Sequence, residues 1–252
     1  MLNRLKEEDV IKLKAAAWDR LHPERIVFFF WGVFILGAAA TGVAAMAAYN
    51  SPQPVSGGLM LTVQAAIAVL AIQFIVSLLF SIGDTAYRLQ KLQAVLLNVV
   101  TVKASVDMYV VFFVLCEIRG VPGYVSAAGA VMLAGGILFF ILSLFRGMKR
   151  AGSGAFRASG QGLYNFKQSA AYVSIPVIFA ASVFGGLIAK ASSDLLLVTG
   201  QPVDAYMLLL LAAILQYSIA VAWPEFFLFA YCKMRFPSFT MKKERPARRT
   251  LR

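Results

Sequence analysis

Long runs of apolar residues, separated by short polar connections, dominate the pattern along this chain of 252 residues. A helix that crosses the hydrocarbon core of a membrane needs about 20 consecutive, mainly apolar residues. Six stretches meet this requirement, and the connections between them are too short for a separate soluble domain of the usual size. We therefore predict an all-α polytopic membrane protein, with six transmembrane helices and short loops within residues 26–231, at about 26–49, 59–82, 94–118, 125–145, 170–189 and 205–231.

Two segments flank this predicted transmembrane domain. Residues 1–25 carry apolar side chains at helical spacing, among them Leu13 and Ala17, with charged residues on the other faces. This pattern predicts a short amphipathic helix on the cytoplasmic membrane surface, with Trp18 at the depth of the lipid headgroups. A lead-in without membrane contact is the alternative. Residues 232–252 form a basic cytoplasmic tail.

Composition and charge add an orientation to this picture. Hydrophobic residues make up 60% of the chain and charged residues only 14%, whereas soluble domains are about half apolar and a quarter charged. The net charge of +12 is concentrated before the first span, in the second and fourth connections and in the tail. Under the positive-inside rule, this alternation predicts that both termini are cytoplasmic. The spans are rich in alanine and glycine, which suits a bacterial inner membrane.

The third predicted span differs from the others because it carries Lys103 and Asp107 near its middle. Ionisable groups at that depth are costly unless they are paired or face water or protein. On a helical wheel, the two charged residues lie nearly opposite a sector of four uncharged polar residues. These four are Asn98, Thr101, Ser105 and Tyr109. Polarity on two sides predicts protein or water on two sides, so we expect this helix at the centre of the bundle.

Lys103 has two candidate partners for neutralisation. Asp107 stands four positions later on the same helix, within reach for an ion pair. Glu225 in the sixth span lies at a similar depth, about 10 Å from the cytoplasmic end at 1.5 Å per residue. We expect Asp107, Glu225 or both to neutralise Lys103, in an intramembrane polar network that also includes Asn98 and Gln216.

Three interpretations of this lysine remain open. It can form a buried ion pair that fixes the register of the helices. It can belong to a polar pathway or a proton-sensitive site. Alternatively, the third span begins near residue 104, and the side chain of Lys103 reaches the cytoplasmic interface.

Several spans carry small residues at every fourth position, an arrangement that lets a neighbouring helix approach closely. They are Ala40, Ala44 and Ala48 in the first span, Ser126, Ala130 and Ala134 in the fourth, and Ala181, Gly185 and Ala189 in the fifth.

The fourth connection and the tail are basic, which predicts docking of anionic lipid headgroups or of a partner protein. Each basic residue near an anionic surface contributes about 1 kcal/mol. The glycines of residues 146–168 are not followed by G-K-[ST], so a nucleotide site is not indicated, and no nucleic-acid module is recognisable. The candidate docking residues are Arg146, Lys149, Arg150, Arg157, Lys242, Lys243, Arg248 and Arg249.

Enzyme chemistry finds little support in the chain. His22 is the single histidine and lies outside the predicted bundle, so no serine, histidine and acid set exists. Cys116 and Cys232 are predicted on opposite membrane faces, which excludes a disulfide between them. We expect no metal and no cofactor.

Two functional hypotheses follow. The first is a non-enzymatic inner-membrane subunit of a larger transport or secretion assembly, such as a secretion, conjugation or ABC-type complex. Its expected partners are membrane lipids and other membrane or cytosolic subunits, and a homo-oligomer is an open option. The second is a self-sufficient ion- or proton-coupled transporter of small solutes that uses Lys103, Asp107 and Glu225.

Overall fold

The computed structural model describes residues 5–160, 162–163 and 203–243. Throughout these ranges the chain is helical or irregular, without a strand. Two short 3-10 helices span Glu7–Val10 and Pro237–Phe239. The α-helices are α1 Ile11–Trp18, α2 Pro23–Asn50, α3 Gly57–Ser81, α4 Thr85–Arg88, α5 Gln90–Ile118, α6 Gly123–Gly152 and α7 Val203–Arg235.

Five of these helices, α2, α3, α5, α6 and α7, are long and apolar enough to cross a membrane. Their most apolar windows have mean hydropathies between 1.9 and 2.4. The chain is therefore a helical membrane protein, and these helices correspond to five of the six predicted spans. The remaining predicted span, 170–189, lies outside the described residues.

Helix ends follow from local backbone chemistry. Gly83 after α3 and Gly120 after α5 have φ values of 54° and 58°. Glycine adopts this left-handed conformation without steric cost and commonly terminates helices. Pro23 is the first residue of α2, where its missing N–H would have no helical partner in any case.

The central element is α5. Half of its most apolar window is buried, against 22–33% for the other four long helices. It packs against α2, α3, α6 and α7. Its window also has the lowest mean hydropathy of the five, 1.9, as expected of a helix surrounded by protein. The predicted third span is thus the inner helix among the described residues.

Small residues allow close packing on two sides of α5. On α2, the predicted small residues Ala40, Ala44 and Ala48 are buried against Val111 and Val114 of α5. On α6, the prediction chose the wrong face, because Ala130 and Ala134 are exposed. The close contacts there are made by glycines instead: a Cβ at Gly129 would lie 2.1 Å from a ring carbon of Phe112 on α5.

One end of the bundle is covered by the chain's own polar segments, and we call it the capped end. It contains residues 5–22, α4, residues 153–160 and 162–163, and residues 236–243. The apolar face of α1 is buried there: Leu13 and Ala17 are 1% and 0% exposed, in a cluster that includes Phe156. A short helix lies within the predicted segment, and its face with Leu13 and Ala17 contacts protein, where the prediction placed lipid. Trp18, at 56% exposure, points away from that cluster.

Candidate functional site

The central feature is an ion pair on α5. Lys103 Nζ lies 2.7 Å from Asp107 Oδ2, and each side chain is 11% exposed. The helix places the two residues one turn apart on the same face. Apart from this ionic contact, the ammonium makes no hydrogen bond of regular geometry within the described ranges. Of the two partners that the sequence allowed for Lys103, Asp107 is the one beside it.

A glycine on α2 makes room for this pair. A Cβ at Gly37 would lie 2.4 Å from Lys103 Nζ, 3.0 Å from Asp107 Oδ2 and 3.5 Å from Leu70 of α3. The two charges are therefore enclosed where α2, α3 and α5 meet. Lys103 is the fourteenth residue of α5, about 20 Å along the helix at 1.5 Å per residue. The contact with α2 and α3 favours an internal pair over an interface anchor.

The uncharged polar residues of α5 face other helices. Tyr109 Oη donates a hydrogen bond of 2.8 Å to Gln216 Oε1 on α7, and Gln216 Nε2 donates to the Leu133 carbonyl of α6 over 3.2 Å. Asn98 Nδ2 donates to the Phe226 carbonyl of α7 over 3.2 Å. The two polar sides of α5 thus contact different neighbours, as the helical wheel predicted: α2 and α3 on the charged side, α6 and α7 on the uncharged side.

The third predicted charge, Glu225, belongs to a different site. Its carboxylate accepts a hydrogen bond from the guanidinium of Arg20, which follows α1 at the capped end. The five residues of the predicted network therefore do not contact one another as a set. Lys103 pairs with Asp107. Gln216 bonds to Tyr109, Glu225 pairs with Arg20, and Asn98 bonds to backbone carbonyls. Sequence reasoning missed Arg20, which is 205 positions away from its partner.

A small cavity of about 90 Å³ adjoins the Arg20–Glu225 pair. Lys12 is part of its wall and fastens the loop after α6 to α1: its backbone N–H donates to the Phe156 carbonyl over 2.9 Å, and its ammonium donates to the Gly160 carbonyl. The cavity is polar and can hold water. Its lining residues are Lys12, Leu13, Arg20, Phe156, Gly162, Leu163 and Glu225.

The predicted docking residues fall into two groups. Three of them bind the chain itself: Arg150 donates to the Leu163 carbonyl, Arg157 pairs with Asp9 and Lys243 pairs with Asp84. Three others, Arg146, Lys149 and Lys242, are exposed at the capped end. Arg248 and Arg249 lie outside the described residues.

Electrostatics at the capped end favour the charged forms of these pairs. The Lys6 backbone N–H and then the Arg157 guanidinium stabilise the Asp9 carboxylate, which lowers the pKa of Asp9. The hydrogen bond to Asp84 raises the pKa of Lys243. The first pair joins residues 5–22 to residues 153–160, and the second joins residues 236–243 to the turn before α4.

The opposite end of the bundle, which we call the far end, carries contacts that the sequence did not indicate. Glu117 at the end of α5 accepts hydrogen bonds from the backbone N–H and the hydroxyl of Ser56, which precedes α3. Arg119 pairs with Asp204 at the start of α7. A groove of about 440 Å³ beside them is lined by Leu59, Phe113, Cys116, Glu117, Gly120, Val121 and Ser126.

The chain matches no family model, no curated protein and no solved structure. Any function must therefore be argued from the residues and their geometry.

Proposed function

We propose that this protein is a non-enzymatic integral subunit of a larger membrane transport or secretion assembly, of the secretion, conjugation or ABC type. The observation that carries the proposal is the capped end. Segments far apart in the chain are fastened there by Arg20–Glu225, Arg157–Asp9 and Lys243–Asp84. The exposed basic side chains of Arg146, Lys149 and Lys242 stand on this fastened surface, which suits docking of an acidic partner.

The same end faces the cytoplasm in this proposal, and the chain crosses a bacterial inner membrane six times. Basic residues at the capped end agree with the positive-inside rule. The number of crossings is supported by where the described residues stop and resume. Leu163 lies at the capped end, beside Arg150, whereas Asp204 lies at the far end, beside Arg119. In this proposal the predicted span 170–189, which lies outside the described residues, is the sixth crossing.

The charged pair of α5 has a structural role in this account. Lys103 and Asp107 neutralise each other between three helices and thereby fix how α2 and α3 pack on α5. A buried pair that determines packing register is the best-attested use of such groups. Anionic lipid headgroups are the second partner of the exposed basic residues, and no specific nucleic acid is involved.

The proposal is tested by purifying the tagged chain from its native membrane in a mild detergent. Reversing the three exposed charges, with Arg146→Glu, Lys149→Glu and Lys242→Glu, should remove co-purifying subunits. The matched control exchanges lysine and arginine at the same three positions and should retain them. A chain that purifies alone, in both the native and the control form, would contradict the proposal.

A self-sufficient ion- or proton-coupled transporter is the second candidate. It is favoured by one observation: the Lys103 ammonium has a single ionic partner and no regular hydrogen bond among the described residues. It is weakened by Glu225, which is bound to Arg20 at the capped end and does not extend that site. Solute uptake by liposomes that contain this chain alone, abolished by Asp107→Asn, would favour the transporter over the subunit.

A further inference from the structure

A buried glutamine fastens the end of the described chain to the start of α5. Gln90 is 2% exposed, and its Nε2 donates a hydrogen bond of 2.6 Å to the Met241 carbonyl. Its Oε1 accepts a hydrogen bond of 3.1 Å from the Met241 N–H, so one amide binds both polar groups of one backbone residue. Phe239 and Met241 are themselves buried, at 0% and 3% exposure. We call residues 236–243 the C-terminal strap.

The last residue of the strap is held at the turn before α4. Lys243 Nζ lies 2.7 Å from Asp84 Oδ1, and this pair is neutral as a whole. Lys242 therefore stands between two held residues, Met241 and Lys243. Because Met241 is bound at the first residue of α5, the strap brings Lys242 to the junction of α4 and α5.

Three exposed cations meet at this junction. Arg88 is the last residue of α4, Lys91 is the second residue of α5, and Lys242 is supplied by the strap. None of the three is in an ion pair with another residue of the described ranges. One acid is nearby, Glu24, which accepts a hydrogen bond of 2.8 Å from the hydroxyl of Tyr87. The junction thus has a surplus of positive charge.

Exposed leucines alternate with the cations. Leu89 follows Arg88 and is 41% exposed, and Leu92 follows Lys91 and is 46% exposed. Free phosphate or an acidic peptide needs only the cations, whereas an anionic lipid presents a phosphate with hydrocarbon attached. The junction lies at the end of long apolar helices in a membrane protein, where such lipid is at hand. The alternation of cation and leucine therefore favours lipid as the occupant.

We propose that the C-terminal strap and the α4–α5 junction together bind the headgroup of an anionic phospholipid. Arg88, Lys91 and Lys242 bind the phosphate, while the two leucines contact the acyl chains. Gln90 is a positioning residue, because it is buried and uncharged but holds Lys242 beside the other cations.

This inference rests on the part of the proposed function that gives anionic lipid to the capped end, and it assigns the lipid to one surface. Arg146 and Lys149, on which the proposed docking of another subunit depends, are not part of that surface. The experiment uses the purified chain, in which no other subunit is present. Loss of lipid with retention of subunits, or the reverse, would separate the two proposals.

The experiment measures, by native mass spectrometry, how tightly the purified chain in neutral detergent binds its first molecule of phosphatidylglycerol. Each basic residue near an anionic surface strengthens binding about fivefold. Arg88→Gln combined with Lys91→Gln should therefore weaken this binding about thirtyfold. Arg146→Gln combined with Lys149→Gln removes the same charge elsewhere at the capped end and should leave it unchanged. Binding of phosphatidylcholine should be the same in all variants, which shows that they are folded.

A buried residue provides the matched control for the positioning role. Gln93, one turn after Gln90, is 0% exposed and donates a hydrogen bond of 2.8 Å to the Pro23 carbonyl, so it fastens α2 and not the strap. Gln90→Leu should weaken binding of phosphatidylglycerol about fivefold, as Lys242→Gln does, whereas Gln93→Leu should not. Adding Lys242→Gln to Gln90→Leu should cause no further loss, because the lysine is no longer held at the junction.

Three results would overturn the proposal. The first is equal binding of phosphatidylglycerol by the wild type and by the Arg88 and Lys91 double variant. The second is an equal effect of Gln90→Leu and Gln93→Leu. The third is binding of inorganic phosphate or of an acidic peptide as tight as that of the lipid, because the leucines would then contribute nothing.

Discussion

Two ion pairs with buried or partly buried charges illustrate two different ways in which this chain uses electrostatics. Lys103 and Asp107 stand one turn apart on α5, and their side chains are equally inaccessible at 11%. Arg20 follows α1, whereas Glu225 lies on α7, 205 positions later in the chain. The side chain of Arg20 is 32% exposed. The first pair is formed as soon as one helix exists, whereas the second requires the complete fold.

The difference assigns a separate task to each pair. The local pair needs only α5 to bring its two side chains together, so it can fix how Gly37 of α2 packs against α5. The distant pair links the N-terminal segment to the end of α7, so it determines whether the capped end is closed. Removing a charge from the local pair should therefore disturb the bundle, and removing one from the distant pair should release the cap.

The largest effect is expected for Asp107→Asn. This change leaves the Lys103 ammonium enclosed without an anion, and breaking a buried pair in this way costs about 3–5 kcal/mol. The free energy of unfolding in mixed micelles, measured by titration with a denaturing detergent, should fall by that amount. A loss below about 1 kcal/mol, the range of exposed pairs, would show that Lys103 is solvated.

Glu225→Gln should have a smaller and more local effect. A hydrogen bond between charged groups contributes about 1.5–3 kcal/mol, and here its loss acts on the contact between α1 and α7. Protease cleavage within residues 5–22 should accelerate, while the unfolding of the five long helices changes little. Glu8→Gln, an exposed residue in the same segment, is the control. Unchanged cleavage would mean that Arg20 does not hold the cap.

Two glycines of α2 serve as test and control for how closely α2 packs against the Lys103–Asp107 pair. Gly37→Ala places a methyl group 2.4 Å from Lys103 Nζ, whereas a Cβ at Gly42 has no atom within 4 Å. The ammonium is the flexible end of its side chain and can shift, so the cost should lie near the lower end of the overpacking range, about 1 kcal/mol, and only Gly37→Ala should lower the unfolding free energy. Equal effects of the two substitutions would show that α2 does not enclose the pair.

The smallest effect is expected from acid at the Asp9–Arg157 contact. The pKa of Asp9 is lowered in the folded chain, so the contact stabilises the fold above the unfolded pKa, about 3.9, and this contribution is lost as the pH falls through the folded value. Hydrogen exchange in residues 5–22, corrected for the intrinsic pH dependence of amide exchange, should therefore rise below about pH 4. An Asp9→Asn variant should exchange faster already at neutral pH and lack this acid-dependent increase. The same acid-dependent rise in that variant would assign it to another group.

The comparison of the pairs also shows how far the sequence could be interpreted. The partnership of Lys103 with Asp107 and the two polar sides of α5 follow from helical geometry alone, so they were predictable. The partnership of Arg20 with Glu225 depends on how α1 folds back, which no local pattern contains. The burial of Leu13 was predictable too, but an apolar face looks the same whether lipid or protein covers it.

The packing face of α6 was mispredicted for a related reason. Alanines at four-residue intervals and glycines beside them are both compatible with close helix contacts. Gly129, and not Ala130, faces α5 because the ring of Phe112 on α5 fits only against a residue without a Cβ. That information resides in α5 and in its orientation, neither of which a single-helix pattern contains.

The central claim is that Lys103 and Asp107 form an enclosed pair whose role is structural. It is tested most directly by a double-mutant cycle on the free energy of unfolding, with Lys103→Met, Asp107→Leu and the combined variant. Replacing both members of a buried pair by apolar residues is often neutral, so the double variant should lie within about 1 kcal/mol of the wild type although each single variant is destabilised. A double variant destabilised by the sum of the single effects would contradict this account.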